Sequence, residues 1–242
     1  MRISKYKKLK NNKYEVILEN NEKITLYEDI ILKEELLLKK EINNLSRLTK
    51  INEEYEIYNV ALKYLSHHVM SIFGMKEYLL RKKYSEEDIN KTIDKLIKSG
   101  YLNDSYYAKC YISDHINLSN DGPYKIIKHL EDNNISSSIY AEYLSKYDSL
   151  WQERIEKYIE KQKKINKKSS YFFKNKMLMN LINLGYEKEM INDCLNKVTI
   201  DNLDELKEIE KNKIRKKLER KYSGDELERK IKEKLFQKGF FE

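Results

Sequence analysis

The chain has 242 residues, 36% of them charged and 40% apolar, with a net charge of +8. That length can bury a sizeable core in one large domain or two small ones. It contains no run of about 18 apolar residues, and MRISKYKKLKNNKYEV lacks an apolar stretch after its basic residues. Neither a membrane span nor a signal peptide is expected, and the expected location is the cytoplasm. One proline and six glycines, set among abundant Lys, Glu, Leu and Ile, favour long helices. Cys110 and Cys194 lie far apart outside any CxxC pattern, so both are expected to be reduced thiols.

In chain order, Tyr14, Val16 and Leu18 alternate with Glu15, Ile17 and Glu19, Asn20 and Asn21 follow, and Ile24 and Leu26 resume an extended pattern. This predicts a β-hairpin. The next stretch, LYEDIILKEELLLKKEI, mixes periods and reads as a strand or turn running into a helix. From about Asn52 the pattern is helical, with Tyr55, Tyr58, Leu62 and Leu65 as one stripe. A second helix runs from about Ser71 to Lys83, carrying Ile72, Phe73, Met75, Tyr78, Leu79 and Leu80. A third begins at Ser85, where SEED reads as a capping box with Asp88 reaching back. Ile89, Ile93, Leu96 and Ile97 form its apolar face, and Gly100 suits the left-handed position that ends a helix.

This unit recurs. KYSEEDINKTIDKL from Lys83, NISSSIYAEYL from Asn134 and GYEKEMINDCL from Gly185 each carry an apolar turn residue, Tyr84, Ile135 or Tyr186. A helix start follows in each, then Ile89, Ile139 or Ile191, and then Leu96, Leu144 or Leu195. The turn residues lie 51 apart twice, and Phe240 follows 54 further on. Trp151, Ile155, Tyr158, Ile159, Gln162 and Ile165 form the stripe of the third unit's first helix. The predicted fold is mainly α: tandem three-helix repeats forming an elongated curved solenoid behind a small N-terminal segment that contains a β-hairpin. The expected divisions are 1–50, 51–102, 103–148, 149–198 and a two-helix partial repeat, 199–242.

Lys and Arg exceed Asp and Glu by four in 1–50 and by five in 149–198, whereas 103–148 is acidic by three. The basic flanks are therefore the better candidates for a polyanionic partner. The densest run, KYIEKQKKINKKSSYFFKNK, holds Lys157, Lys161, Lys163, Lys164, Lys167, Lys168, Lys174 and Lys176 beside Tyr171, Phe172 and Phe173. Lysines suit phosphates and aromatics suit unstacked bases; the plain alternative is a solvated lysine face over core aromatics. In ELKEIEKNKIRKKLERK, 205–221, pairs four residues apart account for most of the charge. Arg81, Lys82 and Lys83 form a smaller patch at a helix end, where the helix dipole alone favours cations.

Catalytic and metal signals are weak. His67 and His68 point about 100° apart on a helix and do not chelate together, His115 and His129 lie in the next unit, and no HExxH or Cys/His cluster occurs. No phosphate-cradling glycine loop is present, and neither Ser nor Cys has a recognisable partner motif. Cys110, sharing a helix face with Tyr106 or Tyr107, reads as a small core residue. No catalytic residue, metal or cofactor is expected.

One ordered set of residues remains: Ser71, with Leu79 or Leu80 and Lys83-Tyr84; then Gly100-Tyr101-Leu102-Asn103-Asp104 with Tyr107-Ala108; then Gly122-Pro123. Together with the fifty-residue repeat, this set resembles the RecX family of regulators of the RecA recombinase. The match is best over about 70–145, and the weaker repeats and β segment extend it over nearly the whole chain. Departures are Met70 where an arginine often precedes the serine, no glycine at Lys83-Tyr84, Asn103 for the first aspartate, and Tyr107 for phenylalanine.

The resemblance implies a non-enzymatic protein of recombination, DNA repair and the SOS response. Such a protein binds the RecA filament on single-stranded DNA along its groove, blocks filament growth, and damps ATP hydrolysis and strand exchange. A monomer is expected. The residues alone leave open a helical-repeat binder of single-stranded nucleic acid without RecA specificity; an enzyme is disfavoured because no carboxylates form a paired constellation. At the joint, Gly100 is expected to end a helix and Tyr101 and Leu102 to plug the core between the first two units. Asp104, beside Asn103 or Ser105, is expected to cap the following helix, whose face carries Tyr107, Ala108 and Tyr111.

Overall fold

The computed structural model describes residues 1–200 and 203–241. They form two compact units, Met1–Tyr107 and the residues from Ala108 onward. The fold is mainly helical behind a small antiparallel sheet.

The first unit opens with β1 (Ile3–Lys8), β2 (Lys13–Leu18) and β3 (Lys23–Tyr27), paired in the order β1-β2-β3. The expected hairpin is β2–β3, with Asn21 at φ +64° in its turn. Strand β1 is an addition to that expectation. Ile3 is its one buried residue and its lysines face solvent, which suits an edge strand and leaves little alternation to read. Val16, Leu18 and Leu26 point into the core under the sheet.

The ambiguous stretch after the sheet is two short helices, α1 (Glu28–Lys33) and α2 (Leu36–Lys39), separated by Glu35 at φ +56°. Ile30, Ile31, Leu36 and Ile42 pack beneath the sheet. Helix α3 (Leu45–Leu65) starts seven residues before the expected Asn52, because Asn44 Oδ1 accepts the Arg47 N–H at 2.9 Å and caps it there. Asn52 is buried in mid-helix. Its Oδ1 accepts from Tyr27 N–H (2.9 Å) and its Nδ2 donates to Thr25 O (3.2 Å), stitching α3 to β3. The fully buried line of α3 is Leu48, Asn52, Ile57 and Ala61; Tyr55, Tyr58, Leu62 and Leu65 flank it, half-buried.

Helices α4 (Ile72–Arg81) and α5 (Glu86–Lys98) close a second core of Ile57, Ala61, Met75, Leu79, Ile89, Ile93, Leu96 and Leu102. Ser85 Oγ accepts the Asp88 N–H at 3.2 Å, and its hydroxyl donates to the Asp88 carboxylate at 2.6 Å. The cap is thus reciprocal, but through the hydroxyl rather than the Ser85 backbone. Ile97, expected on the apolar face, is 40% exposed; Thr92 takes the buried position. Gly100, at φ +76°, ends α5 in a Schellman motif, with Tyr101 N–H donating to Leu96 O and Gly100 N–H to Ile97 O, both at 2.9 Å.

Helix α6 (Asp104–Leu118) contains the division between the units. The second unit continues with α7 (Pro123–Asp132), α8 (Ser137–Ser145), a 3-10 turn at Asp148–Leu150, α9 (Trp151–Lys163), α10 (Ser170–Asn183), α11 (Lys188–Asn196), α12 (Leu203–Leu218) and α13 (Gly224–Gln237). On α9 the buried stripe is Trp151, Ile155 and Ile159; Ile165 lies past the helix end and is 69% exposed.

The fifty-residue repeat has a backbone cause. Lys83, Asn134, Gly185 and Gly239 all sit at positive φ, between +57° and +87°. Each precedes the apolar turn residue, of which Ile135, Tyr186 and Phe240 are buried. Within the second unit, two of these turns rest on the start of an earlier helix. Gly122 N–H donates to Leu184 O (2.7 Å) and Tyr124 N–H to Gly185 O (3.0 Å). A Cβ on Gly122 would lie 2.6 Å from Gly185 O, and one on Gly185 would lie 2.5 Å from Lys125 N. Likewise Ser169 Oγ donates to Lys238 O at 2.8 Å, and a Cβ on Gly239 would meet that hydroxyl at 2.7 Å.

Two substitutions of opposite sign follow. Gly185→Ala should lower stability by about 1–3 kcal/mol, from left-handed strain and the collision with α7. Lys83→Gly should raise it by up to about 1 kcal/mol, since a side chain now occupies the left-handed region. Denaturant midpoints for the two variants against the parent check both.

Candidate partner and nucleic-acid interface

The motif residues lie largely at helix junctions. Ser71 is buried, and its Oγ accepts the Gly74 N–H at 2.9 Å, capping α4. The expectation for Asp104 is corrected. Its Oδ1 accepts the Ile72 N–H at 2.8 Å, so it caps α4, 32 residues earlier in the chain, rather than its own helix. The cap of α6 is Asn103, whose Oδ1 accepts the Tyr106 N–H at 3.0 Å. Asparagine at 103, a departure from the family pattern, is among the best residue types for that position.

Leu102 is buried in the α3–α5 core, whereas Tyr101 is 56% exposed and does not plug it. Tyr101 instead lines an open cavity of about 740 Å3 with Leu62, Leu65, Val69, Met70 and Tyr106. Tyr107 is half-buried, and burial pushes its phenol upward, with the Asp104 charge adding to the effect. Ala108 is fully buried, Cys110 only partly. Gly122 and Pro123 open α7: the proline fills the first helical position, and the glycine permits the backbone contact with Gly185.

The basic candidates fall into two groups. In the first unit, Arg81, Lys82 and Lys83 are exposed at the C-terminal end of α4, and Lys82 Nζ lies 5.6 Å from the centre of the Tyr78 ring. In the second unit, the run 157–176 spans the end of α9, a loop and the start of α10. Lys157 is paired with Glu153 at 2.6 Å, which removes it from the free charge. Lys164, Lys167 and Lys168 are exposed on the loop, which Asn166 braces by accepting from Lys168 N–H (3.0 Å) and donating to Lys168 O (2.8 Å). Lys163 is half-buried beside a cavity of about 410 Å3, Lys174 is half-buried, and Lys161 and Lys176 are exposed. Of the three aromatics, Phe173 is core, while Tyr171 and Phe172 are exposed. Tyr171 meets Phe241 edge-on at 5.3 Å, so lysines and aromatic surface share one end of α10.

Sequence reasoning missed Arg154. Its guanidinium donates to Ile116 O (2.6 Å), Ser119 O (2.8 Å) and Asp121 O (3.4 Å), and its Nε to Tyr186 Oη (3.3 Å). It anchors the α6–α7 connection to α9. Beside it, Asp121 is buried and accepts from His115 Nδ1 (2.8 Å) and Lys125 Nζ (2.7 Å). Burial alone would raise the Asp121 pKa; the hydrogen bonds from Lys125 and His115 outweigh it and hold the carboxyl below its ordinary value of 3.8. Tyr111 stacks on His129 at 4.1 Å, and burial lowers the His129 pKa. No three of His, Cys, Asp and Glu among the described residues could hold a metal ion. No helix among them is long and apolar enough to cross a membrane.

A family profile described as the first three-helix domain of RecX matches residues 58–96, which run from within α3 to within α5. The regulatory protein RecX of Bacillus cereus (strain 03BB102) is 30% identical over 224 residues, covering 88% of this chain and 82% of the relative. The chain belongs to the RecX family. The regulatory protein RecX of Streptococcus gordonii is 29% identical over 249 residues, covering 99% of this chain and 95% of the relative. A crystal structure of a regulatory protein RecX superposes with a TM-score of 0.64 at 19% identity, over 81% of this chain and 99% of that one, which shows a shared fold. The named relatives of this RecX chain are regulatory proteins, as the ordered motif residues led one to expect.

Asp104→Ala should cost about 0.5–2 kcal/mol, with the loss read as faster amide exchange at Ile72 in α4 rather than in α6. Asp121 supplies stability above its ordinary pKa, because its folded pKa lies lower, and that stability is lost as pH falls through the folded value. Asp121→Asn should therefore lower stability at pH 7 and flatten its decline below about pH 4. Urea midpoints taken between pH 2 and 7 test this.

Proposed function

We propose that this RecX-family chain is a non-catalytic regulator that binds the RecA filament on single-stranded DNA and restrains filament growth, ATP hydrolysis and strand exchange. Family membership over nearly the whole chain is the observation that carries this reading. The exposed lysines support it. Arg81, Lys82 and Lys83 in one unit, and Lys164, Lys167 and Lys168 in the other, offer cations to phosphates or to acidic protein surface without breaking a core. Two triplets in one chain can engage successive copies of a repeating partner, so weak contacts add through effective concentration. The protein would act as a cytoplasmic monomer.

A second reading, a single-strand binder without RecA specificity, is favoured by one observation: exposed Tyr171 and Phe172 next to the lysine loop. A RecA ATPase assay on single-stranded DNA separates the two. The regulator inhibits at a small fraction of the RecA concentration. Inhibition only at amounts that coat the DNA means competition, and binding to DNA with no effect on RecA contradicts the regulatory reading. Changing Lys163, Lys164, Lys167 and Lys168 to Gln together should weaken filament binding and reduce its salt slope by about 0.7 for each phosphate no longer neutralised. An unchanged slope removes this loop from the interface.

A further inference from the structure

Helices α12 and α13 enclose a groove of about 490 Å3 lined by Lys213, Lys216, Lys217, Lys234 and Lys238 around a single carboxylate, Glu210. Five lysines against one glutamate leave it net positive by four. The charge pattern of 205–221 leads one to expect pairs four residues apart to neutralise this region, and they do not. Lys211 pairs with Glu208 (3.4 Å) and Lys213 with Glu210 (3.7 Å), both three residues apart, while Arg215 crosses to Glu228 on α13. Among the described residues, Lys216 and Lys217 have no carboxylate within 4.0 Å, and both are exposed.

The groove is built rather than incidental. Buried Ile214 and half-buried Leu218 form its floor. Lys238 holds Glu210 at 2.6 Å, and the same residue's carbonyl accepts the Ser169 hydroxyl at 2.8 Å, tying the groove to the start of α10. Glu210 is held below the ordinary carboxylate range, chiefly by the Lys238 hydrogen bond, with Lys213 and Lys168 adding to the field. Lys168 belongs to the exposed α9–α10 loop, so the two basic features lie within reach of one carboxylate.

The chemistry favours a phosphodiester chain over an acidic peptide. Lys213 to Lys217 and Lys234 to Lys238 each climb about one helical turn, or about 6 Å, so positive charge is spread in two rows suited to a polymer. No free guanidinium lines the groove: Arg215 is committed to Glu228. An arginine fork suits carboxylate and phosphate alike, so the lysines act here as point charges on whichever polyanion enters; what favours nucleic acid is exposed Tyr171 and Phe172 beside the adjoining α9–α10 loop, which offer ring faces to unstacked bases. We propose that this groove binds the backbone of single-stranded nucleic acid and, with the α9–α10 loop, forms one phosphate-binding track. The inference rests on the nucleic-acid part of the proposed function and places it at residues outside 157–176.

The test is fluorescence anisotropy of the full chain on a labelled oligo-dT across a salt series. The variant Lys216→Gln/Lys217→Gln/Lys234→Gln is compared with a control in the acidic segment 103–148, Lys109→Gln/Lys128→Gln/Lys146→Gln, all three exposed. The triple variant should bind at least about tenfold more weakly at low salt, and its slope of log K on log salt should shrink by about 2, at about 0.7 per phosphate no longer neutralised. The control should match the parent. Lys216→Gln and Lys217→Gln alone should each give about a third of the slope change, which guards against a folding defect in the triple. Equal slopes for parent and triple variant overturn the proposal. So does a triple variant that loses poly-glutamate binding but keeps oligo-dT binding, which assigns the groove to acidic peptide. The RecA ATPase assay keeps the two failures apart. Inhibition of RecA with unchanged slopes sinks the groove alone; a shrunken slope without any effect on RecA sinks the regulator alone.

Discussion

Helix ends carry backbone groups with no partner inside the helix, and this fold meets that requirement by setting one helix end against another. At Gly122 and Tyr124 the free N–H groups at the start of α7 meet the carbonyls of Leu184 and Gly185 at the end of α10, at 2.7 and 3.0 Å. The positive end of one helix dipole thereby faces the negative end of another. Such an approach admits no side chain at either backbone, so both positions are glycine. The start of α10 is tied in a related way, through Ser169 to the Lys238 carbonyl. In the first unit the start of α4 is satisfied instead by a distant carboxylate, that of Asp104. The starts of α4, α7 and α10 are thus completed by residues that lie far along the chain.

This explains which parts of the fold were legible in the sequence. The repeat was, because a left-handed turn followed by an apolar plug must recur wherever the junction recurs; Tyr84, Ile135, Tyr186 and Phe240 mark it. Local caps were legible too, as at Ser71 and Ser85, since donor and acceptor lie three residues apart. Asp104 was assigned to the wrong helix because its partner, Ile72, is distant in the chain, and spacing carries no information about such pairs. Arg154 was invisible for the same reason: its four acceptors lie 32 or more residues away. Strand β1 and the early start of α3 were missed where lysines and asparagines obscure the apolar period.

The pairing and burial of the basic and aromatic residues was less legible than the fold, and the reason is also physical. Charge in a sequence does not reveal which charges are already paired. Lys157 looked as free as Lys167, yet it is spent on Glu153. The α12 lysines looked neutralised, yet Lys216 and Lys217 face an open groove. Aromatics beside lysines were likewise ambiguous until burial separated Phe173 from Tyr171 and Phe172. The candidate surface is the set of cations left over after the helices have satisfied themselves.

The regulatory account depends on the chain engaging RecA assembled on single-stranded DNA rather than either component alone. A photocrosslinker introduced at Lys167 of the full chain, on the exposed α9–α10 loop, tests this most directly. With RecA assembled on single-stranded DNA, the account predicts adducts to RecA or to the strand at a yield well above that obtained with either component alone. Equal yields on naked DNA and on the filament, with no RecA adduct, would contradict it.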